Sequence, residues 1–163
     1  MTSVSELTKR MIAQADGNLH DIAHFLKVWA YAKTIGELEG LDESTQFILE
    51  AAAITHDIAC PLCRTLYGSA LPARQEEHSP ALIDAFFQDT GLSEAERSRI
   101  RYLVAHHHTY SNVDGADYQI LLEADYLVNA EEKNTPPAQV KTALEHIFKT
   151  ASGIALLKSI YDI

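Results

Sequence analysis

The sequence predicts an all-α protein, a single-domain helical bundle. Apolar residues recur at i, i+3, i+4 and i+7 almost throughout, and no convincing run of strict alternation interrupts them. Seven glycines and five prolines are few for an all-β chain with many turns. Hydrophobic residues make up 47% of the 163, which excludes disorder and fits one domain of ordinary size.

The first segment, residues 3–15, is amphipathic and breaks at Gly17. A second helix is expected over residues 19–39, ending at Gly40. A third starts near Asp42 and carries Phe47, Ile48, Ala51, Ala52 and Thr55 toward Asp57, and Cys60-Pro61 stops it. Residues 59–76 show no clear periodicity, and loops of that length in a compact domain tend to be functional. Ser79-Pro80 reads as an N-cap with proline at the first helical position, opening a helix to about Asp89. Ser93 and Glu96 make a capping box for the next helix, which ends in His106-His107-His108. A turn over residues 111–115 leads into a helix over about 116–132. Asn134-Thr135-Pro136-Pro137 then punctuates before a last pair of helices, split at Gly153. No repeat, low-complexity tract or linker divides the chain, so one domain over residues 1–163 is expected.

Lys and Arg number 13 against 23 Asp and Glu, a formal net charge of −10. That balance disfavours a nucleic-acid polymer, whose phosphates must be neutralised, and an anionic membrane surface. A small phosphorylated ligand stays compatible, because one local cluster of cations or metal ions overrides net charge. Residues 1–10 mix acidic and basic side chains and lack the apolar centre of a signal peptide. No apolar run approaches the roughly 18 residues of a membrane span. Cys60 and Cys63 form a lone Cys-x-x-Cys with no preceding strand and no second pair, so no redox or zinc role is assigned to them. The expectation is a cytoplasmic protein with reduced thiols.

Eight histidines are unusual, and several ionisable residues fall where periodicity expects core. Leu49, Ala52, Ala53 and His56 share one helical face, with Asp57 next in sequence. Ile100, Leu103, Val104 and His107 repeat the spacing, and Leu121, Ala124, Asp125 and Val128 place a mid-helix carboxylate in a stripe. His24 neighbours Val28 and Tyr31, with His20 one turn before. A buried charge is costly unless it is paired or bound to a metal. A single inward histidine is usually a hydrogen-bonded core residue, but four helices each aiming His or Asp inward suggest one centre. His108 reads as a solvated helix end and His146 as a surface residue. His20 is left between solvent and a supporting place behind the cluster.

From about His24 to Asp125 the chain resembles the HD superfamily of metal-dependent phosphohydrolases. His24-Phe25-Leu26-Lys27-Val28 is similar to the family's H-x-x-R-V, and Ala51 to Ile58 to its "AALLHDI" block. His78 follows the loop. Ile100 to His107 resembles the I-x-x-I-x-x-H-H of the HD-GYP branch, and the segment ending in His-Thr of HD hydrolases of dinucleoside polyphosphates. Leu122-Glu123-Ala124-Asp125-Tyr126 resembles the closing aspartate block. An HD dipeptide alone is weak, whereas five blocks in order on expected helices are specific. The resemblance implies a bundle of the HD-domain type, with the motifs in about 19–132 and C-terminal helices over 136–162 packing on it. It implies metal ligands at His24, His56, Asp57, His78, His107 and Asp125, with His106 as a further candidate and Asp57 as a bridge. Such a donor set suits Fe, Mn, Co, Ni or Zn better than Ca, and one or two divalent ions, Mg among the candidates, are expected.

Two departures shape the functional expectation. The family's His-Asp-x-Gly-Lys is here His56-Asp57-Ile58-Ala59-Cys60, without the lysine that commonly meets substrate phosphate. Lys27, Arg64 and Arg74 are the substitutes on offer, and Asp57, Lys27 and Arg64 are the catalytic candidates. The GYP tripeptide is missing, which disfavours a cyclic-di-GMP phosphodiesterase. The resemblance implies hydrolysis of a small nucleotide-like phosphomonoester or pyrophosphate by a metal-activated hydroxide. The alternatives are a mixed-valence di-iron oxygenase of the same superfamily and a non-catalytic metal- or nucleotide-binding sensor module. A homodimer stays open as the quaternary arrangement.

Overall fold

The computed structural model describes residues 2–163 and contains, among them, nine helices and no strand. In chain order they are α1 (Val4–Gln14), α2 (Leu19–Leu38), α3 (Glu43–Thr55), α4 (Cys60–Tyr67), α5 (Pro72–Phe86), α6 (Glu94–His106), α7 (Ala116–Glu132), α8 (Pro137–His146) and α9 (Ala151–Tyr161). Side-chain caps fix most of the starts. Ser3 and Ser93 close capping boxes with Glu6 and Glu96, and Asn18, Asp42 and Thr150 each accept a backbone N–H of the first turn.

The centre is a layer of α2, α3 and α7. The run Ala51-Ala52-Ala53 on α3 is fully buried, and its small side chains let neighbouring helices approach closely. Val28, Ala32 and Ile35 of α2 and Leu121, Ala124 and Val128 of α7 pack into the same core. α7 is buried on nearly every side, because α2 and α3 cover one face and α9 part of another. A hairpin of α5 and α6 flanks α3, and α1 packs on α3 from elsewhere. The all-α expectation therefore holds, with three local corrections.

Cys60-Pro61 does not only end α3: it opens α4, with proline in the first turn where its missing N–H costs nothing. The segment expected as one long loop is thus mostly helix. α5 starts at Pro72, not at Ser79, and Pro80 lies inside it. Leu71-Pro72 offers the first-turn proline eight residues earlier, without a side-chain cap, and buried Gln75, Ser79 and Ile83 hold the helix through Pro80. The last two helices part after Ile147 rather than at Gly153, which sits in the first turn of α9.

Candidate metal centre

Four helices bring their ionisable residues to one point. α3 ends on His56, whose ring is buried, and Asp57 follows in the tight turn before α4. That turn is closed by Ile58 N–H donating to Thr55 O and Cys60 N–H donating to Asp57 O, each at 2.9 Å. α2 contributes buried His24 and α7 buried Asp125, while His107 caps the end of α6 with His108 beside it. His24 Nε2 lies 3.1 Å from His56 Nε2 and 3.3 Å from Asp57 Oδ2 and Asp125 Oδ1. His56 Nε2 is 3.4 Å from Asp57 Oδ2 and 3.3 Å from Asp125 Oδ1. His107 Nε2 lies 3.3 Å from the other Asp57 oxygen, Oδ1. Asp57 therefore presents its two oxygens to two sides of the cluster.

The partners of the outer ring nitrogens define the tautomers. His56 Nδ1 meets Ala53 O at 2.7 Å and His107 Nδ1 meets Val104 O at 2.7 Å. A carbonyl only accepts, so both Nδ1 atoms donate. His24 Nδ1 faces both oxygens of Glu132, at 3.0 and 3.1 Å, and donates likewise. In the neutral ring each Nε2 then directs a lone pair inward, toward two carboxylates. Lone pairs and anions at these distances repel unless a proton or a cation sits between them. His107 Nε2, His108 Nε2 and Asp125 Oδ1 are buried without any hydrogen-bond partner. Three overlapping groups have their ligand atoms within 4.8 Å of one another: His24, His56 and Asp125; His56, Asp57 and His107; and His107, His108 and Asp125. The donor set and its orphaned atoms fit a divalent metal ion.

The titration behaviour has the same origin. Burial alone would lower the pKa of His24, but the adjacent carboxylates of Asp125 and Asp57 raise it. Burial likewise opposes the charge on His56, and Asp57 and Asp125 together drive its pKa well up. Burial works against ionised Asp57 and Asp125, yet His56 and His107 hold Asp57, and His24 and His56 hold Asp125, below the usual carboxylate range. His108 goes the other way, lowered to about 4 by burial and by the neighbouring His107.

The structure gathers His24, His56, Asp57, His107 and Asp125 and leaves two expected ligands outside. His78 is partly exposed, with Nε2 2.8 Å from the Tyr67 hydroxyl. His106 turns back along α6, donating from Nδ1 to Tyr102 O at 2.8 Å and stacking on the Tyr102 ring. His108, expected in solvent, is instead packed on His107 at a centroid distance of 3.9 Å. Of the cations, Lys27 is paired with Glu131 at 3.1 Å, Arg74 with Glu77 at 2.8 Å, and Arg64 with Asp21. His20 and His146 are exposed. Cys60 and Cys63 are free buried thiols, and burial beside Asp57 pushes the Cys60 thiol up, away from reactivity. Glu132 was the residue to find: it lies seven positions after Asp125, on the same face of α7.

No helix among the described residues is long and apolar enough to cross a membrane. The family model that matches the chain is that of the HD domain, over residues 21–149. No curated protein and no solved structure matches it. The match spans every residue of the cluster, from His24 on α2 to Asp125 and Glu132 on α7. The chain belongs to the HD-domain family, a superfamily of metal-dependent phosphohydrolases.

Proposed function

We propose that this protein hydrolyses a small nucleotide-like phosphomonoester or pyrophosphate with the help of one or two divalent metal ions. The observation that carries this reading is the set of inward Nε2 atoms of His24, His56 and His107 around the divided carboxylate of Asp57 and the buried carboxylate of Asp125. His24, His56, Asp57 and Asp125 would hold one ion, and His107 and His108, sharing Asp57 and Asp125, a second. Bound there, a divalent ion supplies Lewis-acid polarisation of a phosphoryl oxygen and a nucleophilic water near neutral pH.

The chain's own contribution is orientation and access. Carbonyls of Ala53 and Val104 and the carboxylate of Glu132 fix three imidazoles in the ligating tautomer. A mouth of about 360 Å³ opens over the cluster, lined by His24, Asp57, His108, Asp125 and Arg64 among others. Arg64 reaches it tethered to Asp21, and Lys27 is not part of its wall. The di-iron oxygenase reading rests on a six-residue set that includes His78, and His78 sits apart from the others.

Metal analysis and a phosphate-release panel test the proposal. The protein is loaded in turn with Mn, Co, Ni, Zn, Mg and Fe(II) and offered p-nitrophenyl phosphate, nucleoside monophosphates and dinucleoside polyphosphates. Metal-dependent phosphate release, abolished in Asp57→Asn, is expected. Stoichiometric metal binding with no release from any ester or anhydride would favour the sensor reading instead.

A further inference from the structure

The mouth of the metal cluster continues into a second cavity that its chemistry does not use. This groove, about 460 Å³, runs between α7, α8 and the segment after α6. Its size falls within the roughly 300–1,000 Å³ of small-molecule sites. His108, Asn129 and Lys133 line both the mouth and the groove, so the two form one path.

Lys133 stands at the junction, and its ammonium has no carboxylate partner among the described residues. Of the lysines and arginines that line the mouth and the groove, Arg64 and Lys133, only Arg64 is tied to an acidic group, Asp21. Four carboxylates, of Asp21, Asp57, Asp125 and Glu132, also line the mouth. An unpaired cation at such a place is the residue available to meet substrate anion. Farther in, the groove offers the rings of Tyr110 and Tyr126, and the amides and hydroxyl of Asn129, Gln139 and Thr142. Flat rings with groups that both donate and accept suit a planar heteroaromatic base.

We propose that the groove between α7 and α8 is the nucleoside subsite, and that Lys133 binds the phosphate of a nucleoside 5′-monophosphate directed at the metal cluster. The proposal rests on the hydrolase reading above. Lys133 would then supply, from the end of α7, the cation that the His56-Asp57-Ile58-Ala59-Cys60 segment lacks. Tyr126 is braced for stacking by its edge contact with Phe148, at a centroid distance of 5.7 Å.

Calorimetric titration of the metal-loaded protein with adenosine 5′-monophosphate, adenosine and inorganic phosphate tests this. The wild type should bind the monophosphate more tightly than either fragment. Lys133→Gln should weaken the monophosphate and inorganic phosphate by about tenfold or more, leaving adenosine and metal content unchanged. Thr142→Trp fills the groove from an exposed position on α8 and should weaken the monophosphate and adenosine, but not phosphate. Both positions are exposed, so wild-type melting temperatures are expected and show that the variants fold. A wild type that releases phosphate from p-nitrophenyl phosphate but binds the monophosphate no better than phosphate overturns the subsite and leaves the hydrolase reading intact. Variants that bind all three ligands like the wild type also overturn it. The expected binding pattern without phosphate release from any ester supports the groove as a ligand site and overturns the hydrolase reading beneath it.

Discussion

The imidazole of His24 is held from both ends, by Glu132 at Nδ1 and by the cluster at Nε2. A carboxylate behind a ligating histidine fixes the ring and raises its basicity. Glu132→Gln keeps the shape and an acceptor oxygen but removes the charge. Metal affinity, read by competition with a chromogenic chelator, should fall by about tenfold. Wild-type affinity in that variant would show the contact to be idle. The three consecutive histidines make a second comparison. His107→Ala and His108→Ala should each lower metal content by up to about one ion per chain. His106→Ala should change nothing, since its ring points back to Tyr102. Metal loss only in His106→Ala would overturn the assignment. His107 was legible in the sequence because it shares a stripe with Ile100, Leu103 and Val104. His108 was not, because α6 ends at His106 and helical periodicity stops predicting direction beyond it. His78 was misplaced for a related reason: a motif gives an order along the chain, not the side of the helix.

The helices show where sequence signals compete. Six of the nine starts were readable from caps, prolines or periodicity, but Pro72 and Pro80 offer two starts for one helix, and burial of Gln75 and Ser79 decides for the first. Gly153 looked like a break and is a point of close approach. Glu123 of α7, fully buried, accepts from Lys149 N–H and Thr150 N–H at 3.2 Å and from Thr150 Oγ1 and Gln119 Nε2 at 2.6 Å. These bonds dock the start of α9 on α7. A Cβ at Gly153 would overlap Glu123 Oε1 and lie 2.7 Å from Thr150 Oγ1. Glycine to alanine inside a helix ordinarily gains up to about 1 kcal/mol. Here the carboxylate is pinned by its donors and cannot step aside, and forcing a methyl into a packed site costs about 1–3 kcal/mol. Gly153→Ala should therefore be destabilising, with a melting temperature lower by a few degrees and metal content unchanged. A melting temperature equal to or above wild type would show that α9 shifts freely.

The bundle as a whole closes over mutually dependent charges, which fixes how its stability follows pH. The core and the family fold were legible because apolar periodicity reports burial. The balance of charge was not, since it depends on which groups meet across four helices. In the metal-free protein His24 and His56 have raised pKa values, so their contribution is fully present below the unfolded value of about 6.5 and is lost as pH rises through the folded values. His108, lowered to about 4, has the opposite sign: its contribution is present above about 6.5 and is lost as pH falls toward about 4. Asp57 and Asp125, both lowered, contribute above the ordinary carboxylate range and lose that contribution only at strongly acidic pH. The three histidines together place the stability maximum of the EDTA-treated protein near pH 6.5, with a decline on each side. A metal ion replaces the protons between the Nε2 atoms and carboxylates, so it binds more tightly as pH rises through the raised histidine values. At a hundredfold excess over Kd it adds about 2.7 kcal/mol. The melting temperature measured from pH 5 to 8 should peak near 6.5 in EDTA, and the peak should move to higher pH with saturating Mn or Zn. His108→Asn should flatten the acid side of the EDTA curve alone. A metal-free melting temperature that climbs steadily from pH 6.5 to 8 would mean that His24 and His56 are neutral in the folded state, and that the carboxylates beside them are balanced by something other than these rings.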